Sequence, residues 1–438
     1  MNSGRFDKVK GRIRPGTYVN VDSSKKAAVS YAARGNVLIP LVNDWGPHAK
    51  IIKIEASDIS SADAVLGNSV DNILLLKEAF KGAGTVMVYN INKGVAAKAV
   101  KEELTATAVY AGSRGNDIKV TCAANPEGGY DISVILGTST VEEFTGIVDI
   151  AGAAAIDSRY VKFSGEGELS EFASLSLSGG TASEIVKSDI TDMLDAIEDE
   201  DISAAAFPFT DNELKAVALS KARYLRDDCG KSIQVVVADY PEADYEGVIN
   251  VTNSYALADG TELTNVQATA YVAAVTASAT ELVSNTYRVV KDADTVVGRK
   301  SNEAAEAAIQ KGEFFFTQQG ETVIAEYDIN SLHTFTETRS ESFRKNKVIR
   351  VYDAVSDTIR ETFPPNKFPN SPLGWDLMDG LCQTILQYFY DEGAIKDVDL
   401  SNDMKVDRGR SSGDSVYFDA KIHAVDAAEK MYFTVITD

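Results

Sequence analysis

The final stretch of the chain, residues 415–438, sets the hardest requirement on its fold; it reads SVYFDAKI, HAVDAAEK and MYFTVITD. In the first run Val416, Phe418, Ala420 and Ile422 alternate with Tyr417, Asp419 and Lys421. In the last, Met431, Phe433 and Val435 alternate with Tyr432, Thr434 and Ile436. Period-two alternation of aromatic and β-branched residues marks a half-buried strand. Terminal residues fray unless something holds them, and an unpaired apolar strand is a template for another chain. What this strand pairs with is the main question the sequence raises.

The other end presents the same feature. Residues 1–16 are basic, polar and glycine-containing, and read as a loose arm. Pro15-Gly16 is a turn signal, and Thr17, Tyr18, Val19, Asn20 and Val21 follow as a short alternating strand. One reading pairs the two terminal strands within a single molecule. Another pairs them with neighbours.

Between the ends, 438 residues suffice for roughly three domains of about 150 residues each. Apolar residues are 44% and charged residues 25%, an ordinary globular balance, but the formal charge is −22. That charge argues against nucleic acid and anionic membranes, because phosphate binding needs clustered Lys and Arg. It favours solubility. Cys122, Cys229 and Cys382 are too scattered for a disulfide framework and read as buried small apolar residues in a reducing compartment. The first residues lack the apolar run of roughly 7–15 residues found in secretory leaders. No window approaches the about 18 apolar residues of a membrane span.

The pattern along the chain is that of an α/β core with an inserted all-β domain and an α+β C-terminal domain, flanked by extended N- and C-terminal arms. Residues 36–41 and 85–89 read as strands around a helix at 71–81 that carries Ile73, Leu76 and Phe80, with Gly82 and Gly84 as its stop. From about 95 to 181 short alternating runs take over: 118–123 and 130–135 flank the hairpin signal Asn125-Pro126-Glu127-Gly128-Gly129, and 160–164 and 174–178 follow. The α/β pattern resumes with a strand at 202–207 and a capping box from Thr210 to Glu213. A helix bearing Leu214, Val217, Lys221 and Leu225, then a strand at 233–238, complete a parallel β-α-β unit. Helices are expected at 266–280 and 302–310. Ser371 and Pro372 start another, with Trp375, Met378, Cys382, Ile385 and Phe389 as its apolar stripe and Gly393 as its stop. The expected segments are 1–22 (arm), 23–94 (core), 95–181 (β insertion), 182–345 (core) and 346–438 (C-terminal domain with arm).

Signals for chemistry are poor. His48, His333 and His423 are isolated, with no paired metal spacing. Residues 81–85 (KGAGT) precede a strand rather than a helix, so they form no phosphate loop, and no nucleophile elbow occurs. The acidic run Asp195, Glu198, Asp199, Glu200 and Asp201 lacks the glycine and ligand offsets of a calcium loop and reads as a solvated helix end; Asp292 and Asp294 read likewise. The basic cluster Arg344, Lys345, Lys347 and Arg350 reads either as a contact for an acidic partner or as the start of an exposed strand. No catalytic residue, metal site or cofactor is expected. An α/β enzyme of unknown reaction, with internally paired termini, is the rival reading; a non-contractile surface-array protein is a third.

Several segments, in order, carry a resemblance: RPGTYVNV at 14–21, YAGSRGNDI at 110–118, EGVINV at 246–251, DINSL at 328–332, FRKNKVIR at 343–350 and VDAAEKMYFTV at 425–435. Together they resemble the tail sheath proteins of contractile bacteriophages and of phage-tail-like bacteriocins. The chain departs from that pattern at 271–277 (YVAAVTA), where relatives often carry glycine, and at 367–372 (KFPNSP). The resemblance implies a non-enzymatic homo-oligomer, a helical array of six-subunit rings around a tail tube, bounded by baseplate and tail terminator proteins. It implies assembly in the host cytoplasm and contraction that drives the tube through an envelope. It further implies that Tyr18, Val19, Val21, Met431, Phe433 and Val435 lie on arms that add strands to sheets of neighbouring subunits. The helix from Pro372 is expected to face the tube through Asp376, Asp379 and Gln383. That side has no Lys or Arg, so the tube would need a basic strip.

Overall fold

The computed structural model describes residues 35–437. They form two compact units: residues 35–354, Glu392–Lys396 and 424–437 make one, Val355–Asp391 and Asp397–His423 the other. Tyr18, Val19 and Val21 lie outside the described residues.

The first unit opens with strand β1 (Asn36–Leu41), then β2 (Ile51–Glu55), helices α1 (Ile59–Leu66) and α2 (Leu74–Phe80), and β3 (Thr85–Asn90). The insertion follows. It holds β4 (Ala96–Lys101), β5 (Leu104–Ala111), β6 (Ile118–Ala124), β7 (Tyr130–Leu136), β8 (Ser139–Ile147), the short helix α3 (Ile150–Ala154), β9 (Val161–Ser164) and β10 (Phe172–Ser176). The chain then returns through α4 (Lys187–Ala196), β11 (Ala204–Ala206), α5 (Asn212–Arg223), β12 (Gln234–Ala238), β13 (Val248–Val251) and β14 (Ser254–Leu257). Helix α6 (Asn265–Ser278), β15 (Ala293–Val297), α7 (Asn302–Gln310), β16 (Glu313–Phe314), β17 (Phe316–Gln319) and β18 (Thr322–Ala325) complete it.

A seven-stranded sheet organises this unit, in the order β16-β13-β12-β11-β1-β3-β2. It is parallel except for β2, which pairs antiparallel with β3. Its central strands are near-continuous apolar runs because both faces are covered. Val37, Ile39, Val86 and Val88 face α2 and α6, while Leu38, Met87, Val235 and Val237 face α4 and α5. Helix α6 is buried continuously from Ala268 to Ala277, so it is apolar all round rather than striped. Gly82 explains the close approach of α2: a Cβ there would lie 2.7 Å from Val275 Cγ1. Thr264 and Gln267 cap α6 reciprocally.

The strands of the insertion form a three-stranded sheet β4-β5-β9 and a four-stranded sheet β10-β6-β7-β8. Ile118, Val120 and Cys122 of β6 and Ile132 and Val134 of β7 turn into one core with Ala106, Val161 and Phe163. Its elbow onto the α/β core is the YAGSRGNDI segment. Trp45, buried, meets Tyr110 edge-on at 5.3 Å and Tyr160 at 6.2 Å. Ser113 donates to Asp44 at 2.6 Å, Arg114 Nε to the Gly67 carbonyl at 3.1 Å, and Asn116 exchanges two hydrogen bonds with Gly180.

Helix α8 (Asn346–Thr362) begins in the first unit and continues into the second. The second unit also contains α9 (Pro372–Asp391) and a hairpin of β19 (Met404–Ser412) and β20 (Ser415–Ala420). Met378, Cys382, Ile385 and Phe389 of α9 are buried as their spacing predicts, and Trp375 is half-buried and donates to Asn370 at 2.7 Å. Phe363 clusters with Phe368 and Phe418.

Several sequence expectations shift. The helix expected at 71–81 begins only at Leu74, after a short 3-10 turn at Val70–Asn72. The cap of α5 is Asp211, not Thr210: its carboxylate accepts from the Glu213 and Leu214 amides. Val217 is exposed, and the buried face of α5 is Leu214, Ala218 and Ala222, mostly small residues that let the helix sit close to the sheet. The strand expected at 174–178 is Phe172–Ser176, and that at 202–207 pairs only over Ala204–Ala206. Cys122 and Cys382 are buried, and burial pushes the Cys382 thiol up to about 12, but Cys229 is exposed.

Candidate functional site

Among the described residues, several large apolar side chains near the C-terminus are left uncovered. After β20 the backbone returns to the first unit at Ala424, which bridges Ile395, and Val425 N–H donates to the Ala394 carbonyl at 2.8 Å. The next residues alternate: Val425, Ala427 and Glu429 turn inward, Asp426, Ala428 and Lys430 outward. The Lys347 ammonium donates to the Val425 carbonyl. Glu429 is held by hydroxyls of Ser284 (2.8 Å) and Thr286 (2.5 Å) and by an ion pair with Lys345. Beyond Lys430 the alternation stops. Met431 is 71% exposed, and Tyr432, Phe433, Val435 and Ile436 are each at least 84% exposed. Residues 431–437 join no sheet of the described chain. They have a strand's composition without a strand's partner among the described residues.

The basic cluster differs most from expectation. Residues 346–352 begin helix α8 rather than a strand, and the cluster is buried. Arg344 donates to the Leu332 and Gln310 carbonyls and lies over the Phe335 ring. Arg350 pairs with Asp328 at 2.7 Å and donates to the Val283 carbonyl at 2.6 Å. Asp328 also accepts from Asn346 and from the Asn285 amide, both at 2.9 Å. Burial pushes the Asp328 carboxyl up, but the Arg350 charge and these donors outweigh it and hold it below the ordinary carboxylate value. Burial also pulls Lys345 and Lys347 down. The cluster therefore neutralises the interior and offers no surface to an acidic partner.

On α9, Asp376 and Asp379 are already paired. Arg408 of β19 reaches Asp376 Oδ1 at 2.7 Å and Asp379 Oδ2 at 2.9 Å, and Asp379 Oδ1 accepts the Val406 amide at 2.8 Å. They clasp the hairpin to the helix, and the single Arg408 charge offsets one of the two carboxylates. Gln383 is exposed, and so are Leu373, Leu377 and Tyr390 of the same helix.

In the acidic run, Asp195 and Glu198 both pair with Lys221. Among the described residues no group of three or more His, Cys, Asp or Glu is placed to hold a metal ion. The inward-facing role of Glu429 escaped the sequence reading; the signal available was its place in the 425–429 alternation.

Comparison with known proteins agrees along the whole described chain. Four family models match in succession: the tail sheath protein Gp18 domain III N-terminal region (residues 34–91), the phage tail sheath β-sandwich domain (92–183), its central domain (183–331) and its C-terminal domain (338–437). The phage-like element PBSX protein XkdK of Bacillus subtilis is 34% identical, with 99% of each chain covered. The crystal structure of the sheath tail protein from Desulfitobacterium hafniense superposes with a TM-score of 0.84 at 38% identity, covering 96% of this chain and 99% of that one. The anti-feeding prophage helical sheath in its contracted state shares the fold at 14% identity, with a TM-score of 0.55 and coverage of 97% and 99%. The chain belongs to the phage tail sheath family, a family of structural proteins of contractile tails.

Proposed function

We propose that this sheath subunit polymerises by handing residues 431–438 to a neighbouring copy, where they add a strand to a small sheet. The supporting observation is an anchored root followed by five large exposed apolar side chains. Their burial is worth roughly 1.5–3 kcal/mol each, a gain left unrealised among the described residues. The chain also carries a suitable acceptor. The β19–β20 hairpin is a two-stranded sheet among the described residues, and such a pair is marginal in water without further strands. Added strands supply backbone hydrogen bonds for strength and alternate side chains for register.

Repeated around an axis, this head-to-tail contact builds rings or helices; the array expected is of stacked six-subunit rings around a tail tube, ending at baseplate and tail terminator proteins in a phage or phage-like tail put together in the host cytoplasm. Arms that bridge subunits let bodies rotate and slide without breaking the lattice, so contraction can drive the tube forward. The N-terminal strand bearing Tyr18, Val19 and Val21 is the second such link. The face of α9 that bears Gln383, with Asp376 and Asp379 beside Arg408, is turned to the tube. Negative-stain microscopy of the purified chain tests the assembly: striated hollow tubes are expected, and uniform small particles at high concentration would refute it.

A further inference from the structure

Glu429 occupies the position where the terminal segment changes from inward-and-outward alternation to full exposure. Its side chain is 8% exposed, although the residues on either side are open to solvent. A carboxylate is withdrawn from water at high cost unless donors replace the water. Here three do so: the Ser284 and Thr286 hydroxyls and the Lys345 ammonium. Lys345 itself lies over the Tyr327 ring at 4.2 Å, and Lys430 approaches the same ring at 5.8 Å.

The socket is wired to the core. Thr286 Oγ1, while donating to Glu429, accepts the Asp328 amide at 2.9 Å. Asp328 holds Arg350 and Asn346, and Asn346 Oδ1 accepts from Gln234, the first residue of β12, at 3.0 Å. A continuous series of hydrogen bonds thus runs from the root of the arm to the central sheet. By contrast, among the described residues no such socket receives any side chain from 431 to 437, all of which are exposed.

We infer that Glu429 is the positioning residue of the C-terminal arm: it pins residues 424–429 to the subunit's own body and sets Lys430 as the pivot from which residues 431–438 leave. The inference rests on the arm-exchange reading for its consequence in assembly, but the latch itself belongs to the single chain. Pinning shortens the free segment, so less chain entropy is lost when it docks, and it fixes which neighbour the strand can reach.

Hydrogen exchange on the unassembled full-length chain tests it. In the wild type, slow exchange is expected at the Val425 amide, which donates to the Ala394 carbonyl, and fast exchange from 431 onward. Glu429→Ala should raise exchange at the Val425 amide by about tenfold or more while β12 stays protected. Glu429→Gln, which keeps the acceptor and loses the charge, should fall between the two. Thr286→Val tests the socket from the opposite side without touching the arm and should also loosen the root. Unchanged protection of the Val425 amide in both Glu429→Ala and Thr286→Val, or a wild type whose Val425 amide already exchanges as fast as 431–437, would overturn the latch. If deletion of 431–438 left polymerisation intact while Glu429→Ala still loosened the root, the arm exchange would fall and the latch would stand.

Discussion

Arg350 donates through Nη2 to Asp328 Oδ2 at 2.7 Å, with the arginine side chain 0% and the aspartate side chain 1% exposed. Around this pair the segments 275–285, 328–332 and 343–350 meet, so motifs distant in sequence share one buried network.

Removing one member leaves the other charge uncompensated. Asp328→Asn or Arg350→Met is expected to lower stability by roughly 3–5 kcal/mol at neutral pH, read by urea denaturation.

The pair also sets an acid limit. Its folded-state carboxyl lies below the unfolded value, so its contribution is present in full above the unfolded pKa, about 3.9, and is lost as pH falls from there through the lower folded value. Thermal melts between pH 5 and 2.5 should show a steeper acid decline in the wild type than in Asp328→Asn. Equal slopes would show that Asp328 does not set the limit.

Gly112 tests the elbow of the insertion. Its φ is 126°, and a Cβ would lie 1.9 Å from the Asp44 carbonyl oxygen. Gly112→Ala is therefore expected to cost more than about 1 kcal/mol, seen as a lowered melting temperature. Gly128, also at positive φ but with open space around it, is the control for conformational strain without the close approach.

The face of α9 can be separated from its clasp. Gln383→Lys places a charge on an exposed position and should reduce co-sedimentation with purified tube while leaving the subunit's melting temperature unchanged. Arg408→Ala opens the clasp on Asp376 and Asp379, both accessible to solvent, and should leave the melting temperature nearly unchanged as well. A Gln383→Lys subunit that binds tube like the wild type would turn this face away from the tube.

Much of the architecture was legible because it follows periodicity. The runs at 36–41 and 85–89, the hairpin around Asn125–Gly129 and the stripe of α9 each carry their own local pattern. What the sequence concealed depended on partners far away. Lys345, Lys347 and Arg350 look like an exposed basic cluster until Asp328, Glu429 and the carbonyls of 283 and 425 are brought against them. Asp376 and Asp379 look like a free acidic strip until Arg408 arrives from β19. Thr210 and Asp211 are both good caps, and only backbone geometry selects the aspartate. For Met431, Phe433 and Val435 the alternation read as a strand, and the described residues supply no ladder for it.

Whether residues 431–438 build the array is decided by electron microscopy of the chain lacking them beside the full-length protein, with circular dichroism to show that both are folded. Arm exchange requires the truncated chain to be a folded, soluble subunit that forms no striated tubes. A truncated chain that still assembles into tubes like those of the full-length protein would contradict it.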